Sequence, residues 1–125
     1  MKMSEAKLQA EFFKLVNNDP FFRYCIWSTP NDAFLGNDPK QRAIQANKLK
    51  ATGLLKGVWD LTIQKNSKLF FIESRIGTNV LTAEQKHFRD VRIENGVPED
   101  HFFIYKTIDE GIEVLKKIKE ICLTN

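Results

Sequence analysis

Gly57-Val58-Trp59-Asp60-Leu61-Thr62-Ile63-Gln64-Lys65-Asn66-Ser67-Lys68-Leu69-Phe70-Phe71-Ile72-Glu73-Ser74-Arg75 is the stretch that decides the fold. Residues 59–64 and 69–74 are rich in β-branched and aromatic side chains, and residues 65–68 have turn composition, which predicts a hairpin. With the turn centred between Asn66 and Ser67, Ile63 faces Phe70, Leu61 faces Ile72 and Asp60 faces Glu73. Alternation along strands then puts Trp59, Leu61, Ile63, Phe70 and Ile72 on one face, expected to be buried. The other, more polar face carries Asp60, Thr62, Gln64, Phe71, Glu73 and, one step further, Arg75. Two carboxylates opposed at a Cβ separation of about 4.5–5.5 Å destabilise the pair. A divalent cation reverses that sign, because Mg²⁺ takes carboxylate oxygens at about 2.0–2.1 Å. On this geometry alone, two solvated acids on an exposed edge compete with a metal site.

Working outward, Ser4 is placed to cap a helix running to about residue 17, with Leu8, Phe12, Leu15 and Val16 at helical spacing. Asn17-Asn18-Asp19-Pro20 stops it. Residues 22–28 suit a strand, and residues 29–39, with two prolines, a glycine and several Asn and Asp, suit a loop. Residues 40–51 suit a short helix closed by Gly53. Beyond the hairpin, Thr82-x-x-Gln85 is a capping box opening a helix to about residue 95, with Gly96 at its end. Residues 101–105 suit a strand. Thr107-x-x-Glu110 is a second capping box, and the last helix places Ile108, Ile112, Leu115 and Ile118 on one side. The order is α, β, α, β, β, α, β, α.

The chain has 125 residues, 42% hydrophobic and 28% charged. That is one domain with an ordinary core and surface, spanning residues 1–125, and it excludes collagen-like, coiled-coil and disordered classes. No run approaches the roughly 18 apolar residues of a membrane helix. The first residues lack the apolar segment of a secretory signal. Two cysteines, Cys25 and Cys122, make no disulfide framework, so an intracellular, reducing location is expected. Neither has a nearby His as a base, and His87 and His101 lack zinc-ligand spacing with them. The net charge of +3 is mild, but residues 39–59 hold Lys40, Arg42, Lys48, Lys50 and Lys56 and no acid. A local positive surface is expected there, either a phosphate grip or a solvated helix face.

The pattern Gly57-Val58-Trp59-Asp60, twelve residues, then Glu73-Ser74-Arg75 resembles the PD-(D/E)XK nuclease signature, and more narrowly that of a stand-alone VRR-NUC domain. Glu5-Ala6-Lys7-Leu8-Gln9 resembles that family's opening helix, and Pro30-Asn31 its asparagine-containing loop. Residues 49–61 resemble its glycine-rich approach to the metal-binding aspartate. Phe71-Ile72-Glu73 followed by Leu81-Thr82-Ala83-Glu84-Gln85 resembles its second half. The likeness covers about residues 4–105.

The resemblance implies an α/β fold with a restriction-endonuclease-like core, a mixed central β-sheet flanked by helices. It implies a metal-dependent DNA endonuclease hydrolysing phosphodiesters with Mg²⁺ or Mn²⁺. Asp60 and Glu73 would hold the metal, with the backbone carbonyl of Ser74 as a further ligand and Glu5 reaching it from the first helix. Arg75 and Gln85 would complete the catalytic set. Asn31, Lys48, Lys50 and Lys56 would contact DNA. Small stand-alone relatives are homodimers acting on branched DNA such as four-way junctions, in bacterial or phage-infected cells, and the resemblance implies the same here.

Two positions depart from the family pattern. Trp59 stands where proline is usual. Arg75 stands where lysine is usual, and an arginine stays protonated and cannot serve as a general base. It can still donate to the scissile phosphate and stabilise developing charge. Three roles follow for Arg75: phosphate contact, an ion pair with Glu73, or a substitution that leaves a weakened nuclease fold acting as a DNA- or protein-binding module. Gln85 is likewise accounted for by its capping box as well as by a place in the site.

Overall fold

The computed structural model describes residues 3–29, 38–53 and 55–124. Helix α1 (Glu5–Asn18) starts where the Ser4 side chain accepts the Lys7 N–H. Strand β1 (Ile26–Ser28), helix α2 (Pro39–Ala51), strands β2 (Leu61–Lys65) and β3 (Lys68–Ser74), helix α3 (Ala83–Glu94), strand β4 (Phe102–Tyr105) and helix α4 (Ile108–Leu123) follow. Their order is the one expected from the sequence.

The four strands form one sheet in the order β1-β2-β3-β4. The first three are antiparallel and β4 is parallel to β3, so the sheet is mixed. The hairpin has the expected register, with Leu61 opposite Ile72 and Ile63 opposite Phe70. Asn66 and Ser67 both have positive φ, 53° and 65°, as a two-residue turn matched to strand twist requires. The Asn66 side-chain amide also donates to the Cys122 carbonyl (3.0 Å), tying the turn to the end of α4.

One face of the sheet is covered by α1 and α4. Leu8, Phe12 and Val16 of α1 and Val114, Ile118 and Cys122 of α4 bury against Leu61, Ile63, Phe70 and Ile72. The other face is covered by α3, where Phe88 and Leu81 pack on Trp59 and Phe71. The sheet face expected to be polar is therefore largely dry. Thr62, Phe71 and Glu73 are all buried.

Trp59 belongs to this second face and not to the one with Leu61 and Ile63. The alternation that assigned it assumed a strand from residue 59, whereas β2 begins at Leu61 and Asp60 lies in a bend. Residues 22–25 also differ from the expected strand. The Asp19 side chain accepts the Phe21 N–H, Tyr24 has a φ of 66°, and the Cys25 N–H returns to the Phe22 carbonyl, so the chain turns before β1. Phe22 is nonetheless fully buried. His101 belongs to a 3₁₀ turn before β4.

On α4 the buried stripe is Gly111, Val114, Ile118 and Cys122, while Ile112 is exposed. A Cβ on Gly111 would lie 2.8 Å from the Phe12 ring, so the glycine admits that ring, while Ile108 and Leu115 of the expected stripe pack partly buried against the same core as Ile118. Leu15 of α1 is likewise exposed.

Helix α2 has no buried residue. It starts with Asp38 accepting the Lys40 N–H and Pro39 in its first turn, and it carries Lys48 and Lys50 in its last. No helix among the described residues is long and apolar enough to cross a membrane.

Candidate metal and phosphate site

Six residues singled out from the sequence come together at one edge of the sheet, where the start of β2, the end of β3, and the first turns of α1 and α3 meet. Glu73 is at their centre, fully buried. The Asp60 N–H donates to its Oε1 (2.8 Å) and the Gln85 side-chain amide donates to its Oε2 (2.7 Å). Arg75 reaches the same Oε2 with Nη1 at 2.6 Å. Ser74, buried at the end of β3, donates its hydroxyl to Asp60 Oδ2 (3.3 Å).

Arg75 follows β3 and is fixed at its backbone by donating to the Tyr105 carbonyl of β4 (3.0 Å). Its side chain is only 13% exposed. Nη2 donates to Gln85 Oε1 at 2.5 Å, and Nη1 lies 3.7 Å from Glu5 Oε2. Its Nε is buried and has no hydrogen-bond partner among the described residues.

Gln85 is placed by its cap. Thr82 accepts the Gln85 N–H (3.2 Å) while Gln85 Oε1 accepts the Thr82 N–H (2.9 Å), the reciprocal box expected from the sequence. The cap leaves the Gln85 Nε2 free to face Glu73, so capping and a place in the site are one arrangement.

Glu5 comes from the first turn of α1. Its Oε1 accepts the Ile76 N–H (3.2 Å) and the Asn79 side-chain amide (2.8 Å). Asn79 was not singled out from the sequence. It lies in a stretch with no periodicity, and only the fold brings it to a residue 74 positions earlier.

The electrostatics follow from burial. Desolvation and the neighbouring Asp60 push the Glu73 carboxyl up to about 7, against the lowering effect of the Asp60 N–H and Arg75. Burial also raises Asp60. Even with a guanidinium at 2.6 Å, the pocket holds less positive charge than its two acids call for.

That deficit bears on whether a metal fits. Among the described residues, no three acidic, histidine or cysteine side chains surround a common metal position. Glu5 is drawn away by Ile76 and Asn79. The remaining donors are the carboxylates of Asp60 and Glu73 and the Ser74 carbonyl. All are hard oxygens of the kind Mg²⁺ and Mn²⁺ prefer, so the donor set fits such an ion, with two acids rather than three.

Of the expected DNA contacts, Lys48, Lys50 and Lys56 are exposed. Asn31 lies outside the described residues. Gly57, next to Lys56, has a φ of 87°, and a Cβ there would collide with the Glu84 carbonyl and the Gln85 N–H. The glycine lets the approach to β2 lie directly on the first turn of α3.

The fold with this site is α/β, a mixed sheet flanked by helices. A solved structure titled "VRR_NUC domain protein" superimposes on it with a TM-score of 0.70, over 94% of this chain and 88% of that one, at 20% sequence identity. No protein-family model matches the sequence, and no curated protein does. The chain has the VRR-NUC fold.

Proposed function

We propose that the chain is a divalent-metal-dependent DNA endonuclease, acting as a homodimer on branched DNA such as four-way junctions. One observation carries the proposal: two carboxylates, the fully buried Glu73 and the half-buried Asp60, share an oxygen-rich pocket with a guanidinium and a fixed amide. The VRR-NUC fold supports it. Mg²⁺ or Mn²⁺ held by Asp60, Glu73 and the Ser74 carbonyl would polarise the phosphate and lower the pKa of water. Gln85 keeps the Glu73 carboxylate oriented, and Glu5 stays at the margin through Asn79. Arg75 supplies charge to the scissile phosphate. Lys48, Lys50 and Lys56 hold the backbone without reading sequence. Asn31 adds a further contact. A symmetric dimer presents two equivalent sites to a symmetric junction.

A second function rests on its own observation. Arg75 is bound to Glu73 and Gln85 and cannot take a proton from water. A nuclease fold disabled at this position would clamp DNA or a protein without cutting it.

Cleavage of labelled four-way junction, flap and plain duplex with Mg²⁺ or Mn²⁺ separates the two, with Asp60→Ala and Arg75→Lys beside the wild type. Metal-dependent cutting that Asp60→Ala abolishes, strongest on the junction, is expected. Cutting by Arg75→Lys alone identifies the binding module. Silence from both proteins, with no DNA binding at low salt, rejects a nucleic-acid function.

A further inference from the structure

The group nearest to Glu73 is a cation that belongs to the chain itself. Arg75 Nη1 sits 2.6 Å from Glu73 Oε2 and 3.7 Å from Glu5 Oε2, and Nη2 sits 2.5 Å from Gln85 Oε1. The guanidinium thus spans both acids that flank it and the amide that orients Glu73. Glu73 Oε2 also accepts from Gln85 Nε2, and Arg75 Nη1 donates to the Ser74 carbonyl at 3.4 Å. A lysine at the same place would offer one compact ammonium and not a two-armed bridge.

We propose that Arg75 is the site's resident counter-ion, competing with the divalent metal for Glu73, so that metal loading requires the guanidinium to leave that carboxylate. The proposal rests on the metal-dependent reading above and goes beyond it: one residue sets both the stability of the metal-free site and its affinity for metal. Burying Glu73 beside Asp60 with no cation would be strongly destabilising, because an uncompensated buried charge is left behind. Arg75 offsets part of that penalty before any metal arrives. The orphaned Nε fits a side chain held by its two terminal nitrogens and not by its whole fork. Off the carboxylate, the Nη1 donor aimed at Glu73 becomes available to an anion.

The test is Mn²⁺ alone, titrated calorimetrically into the metal-free protein without DNA. Wild type, Arg75→Gln, Glu73→Gln and Arg89→Gln are compared, the last removing an equal charge from the surface of α3. Arg75→Gln should bind Mn²⁺ at least about tenfold tighter than wild type, since a buried pair no longer has to be broken. Arg89→Gln should stay within about twofold, as expected for a screened surface charge. Glu73→Gln should lose binding.

Equal affinity of wild type and Arg75→Gln overturns the competition and leaves a metal site intact. Absence of Mn²⁺ binding in a folded Arg75→Gln overturns it together with the metal-dependent reading. Should Arg75→Gln fail to fold, the wild type alone decides. The Arg75 Nε–H resonance of ¹⁵N-arginine-labelled protein should move on saturation with Mg²⁺, and a resonance unchanged at saturation, or a protein that takes up no Mg²⁺, overturns the proposal.

Discussion

The indole N–H of Trp59 donates to the main-chain carbonyl of Gln85 at 3.1 Å, across the buried interface between the hairpin and α3. Trp59 immediately precedes Asp60, and the Gln85 side chain holds Glu73. The two acids of the site are therefore tied through this bond as well as through the Asp60 N–H on Glu73. Proline, which the pattern this sequence resembles has at that position, offers no such donor.

Replacing Trp59 with Phe keeps an aromatic ring on Phe102 but removes the bond and leaves a void in a residue that is 1% exposed. The loss should be on the order of 1–2 kcal/mol of stability, read from urea unfolding. Mn²⁺ affinity should fall with it in protein that is still folded, because Asp60 loses its tether. A variant that loses stability with unchanged Mn²⁺ affinity would limit Trp59 to packing.

Glu73 makes the metal-free protein respond to pH in the direction opposite to ordinary acid denaturation. Its folded-state value of about 7 lies above the unfolded value near 4.5. The folded state holds the proton more tightly, so this group's contribution is complete below pH 4.5 and lost as pH rises through 7. Asp60 shifts in the same direction. In EDTA, the stability difference between wild type and Glu73→Gln should fall by on the order of 3 kcal/mol from pH 4.5 to 7.5. Adding Mg²⁺ at pH 7.5 should restore stability to wild type and not to Glu73→Gln. A difference independent of pH would mean Glu73 is ionised throughout.

Gly57→Ala combines two faults. The φ of 87° is one that L side chains rarely adopt, and the new Cβ meets backbone atoms of Glu84 and Gln85 that cannot swing aside. The first turn of α3 must then retreat from the hairpin, carrying Gln85 away from Glu73. A loss on the order of 3 kcal/mol and a fall in Tm of roughly 10 °C are expected. Gly53→Ala is the control, since no atom lies within 4 Å of its Cβ position and only backbone strain is added. Equal losses in the two variants would show that the approach to α3 is unimportant.

How far the sequence discloses the site depends on whether local chemistry or the fold sets each residue. The register of the hairpin, Leu61 opposite Ile72 and Ile63 opposite Phe70, was legible because a two-residue turn at Asn66 and Ser67 leaves one way to pair the strands. Gln85 was legible as a cap, and its second role came from the same side chain using its other end. The face of Trp59 was misread because strand alternation was carried through Asp60, which lies in a bend. The burial of Thr62, Phe71 and Glu73 was hidden for another reason. A hairpin read alone shows its polar face, and only the placement of α3 covers it. Asn79 left no local signal, because its partner Glu5 is distant in the chain. Arg75 was legible as a departure from a lysine pattern, but the three groups it bridges arrive from three different elements.

The basic segment offers the last test, because it separates a phosphate grip from a solvated helix face. Helix α2 has no buried residue, so substitutions of Lys48 and Lys50 should leave the fold intact, and Lys56 is exposed before the Gly57 contact. Binding of a labelled junction is measured by anisotropy between 50 and 200 mM KCl in an Asp60→Ala background, which prevents cutting. Each lysine that neutralises a phosphate contributes about 0.9 to the slope of log K against log salt. Lys48→Gln, Lys50→Gln and Lys56→Gln together should lower that slope by roughly 2–3, with similar weakening on flap and duplex, since phosphate contacts position DNA without reading its sequence. A slope that does not change assigns these three lysines to the solvent and moves the DNA grip to another surface of the protein.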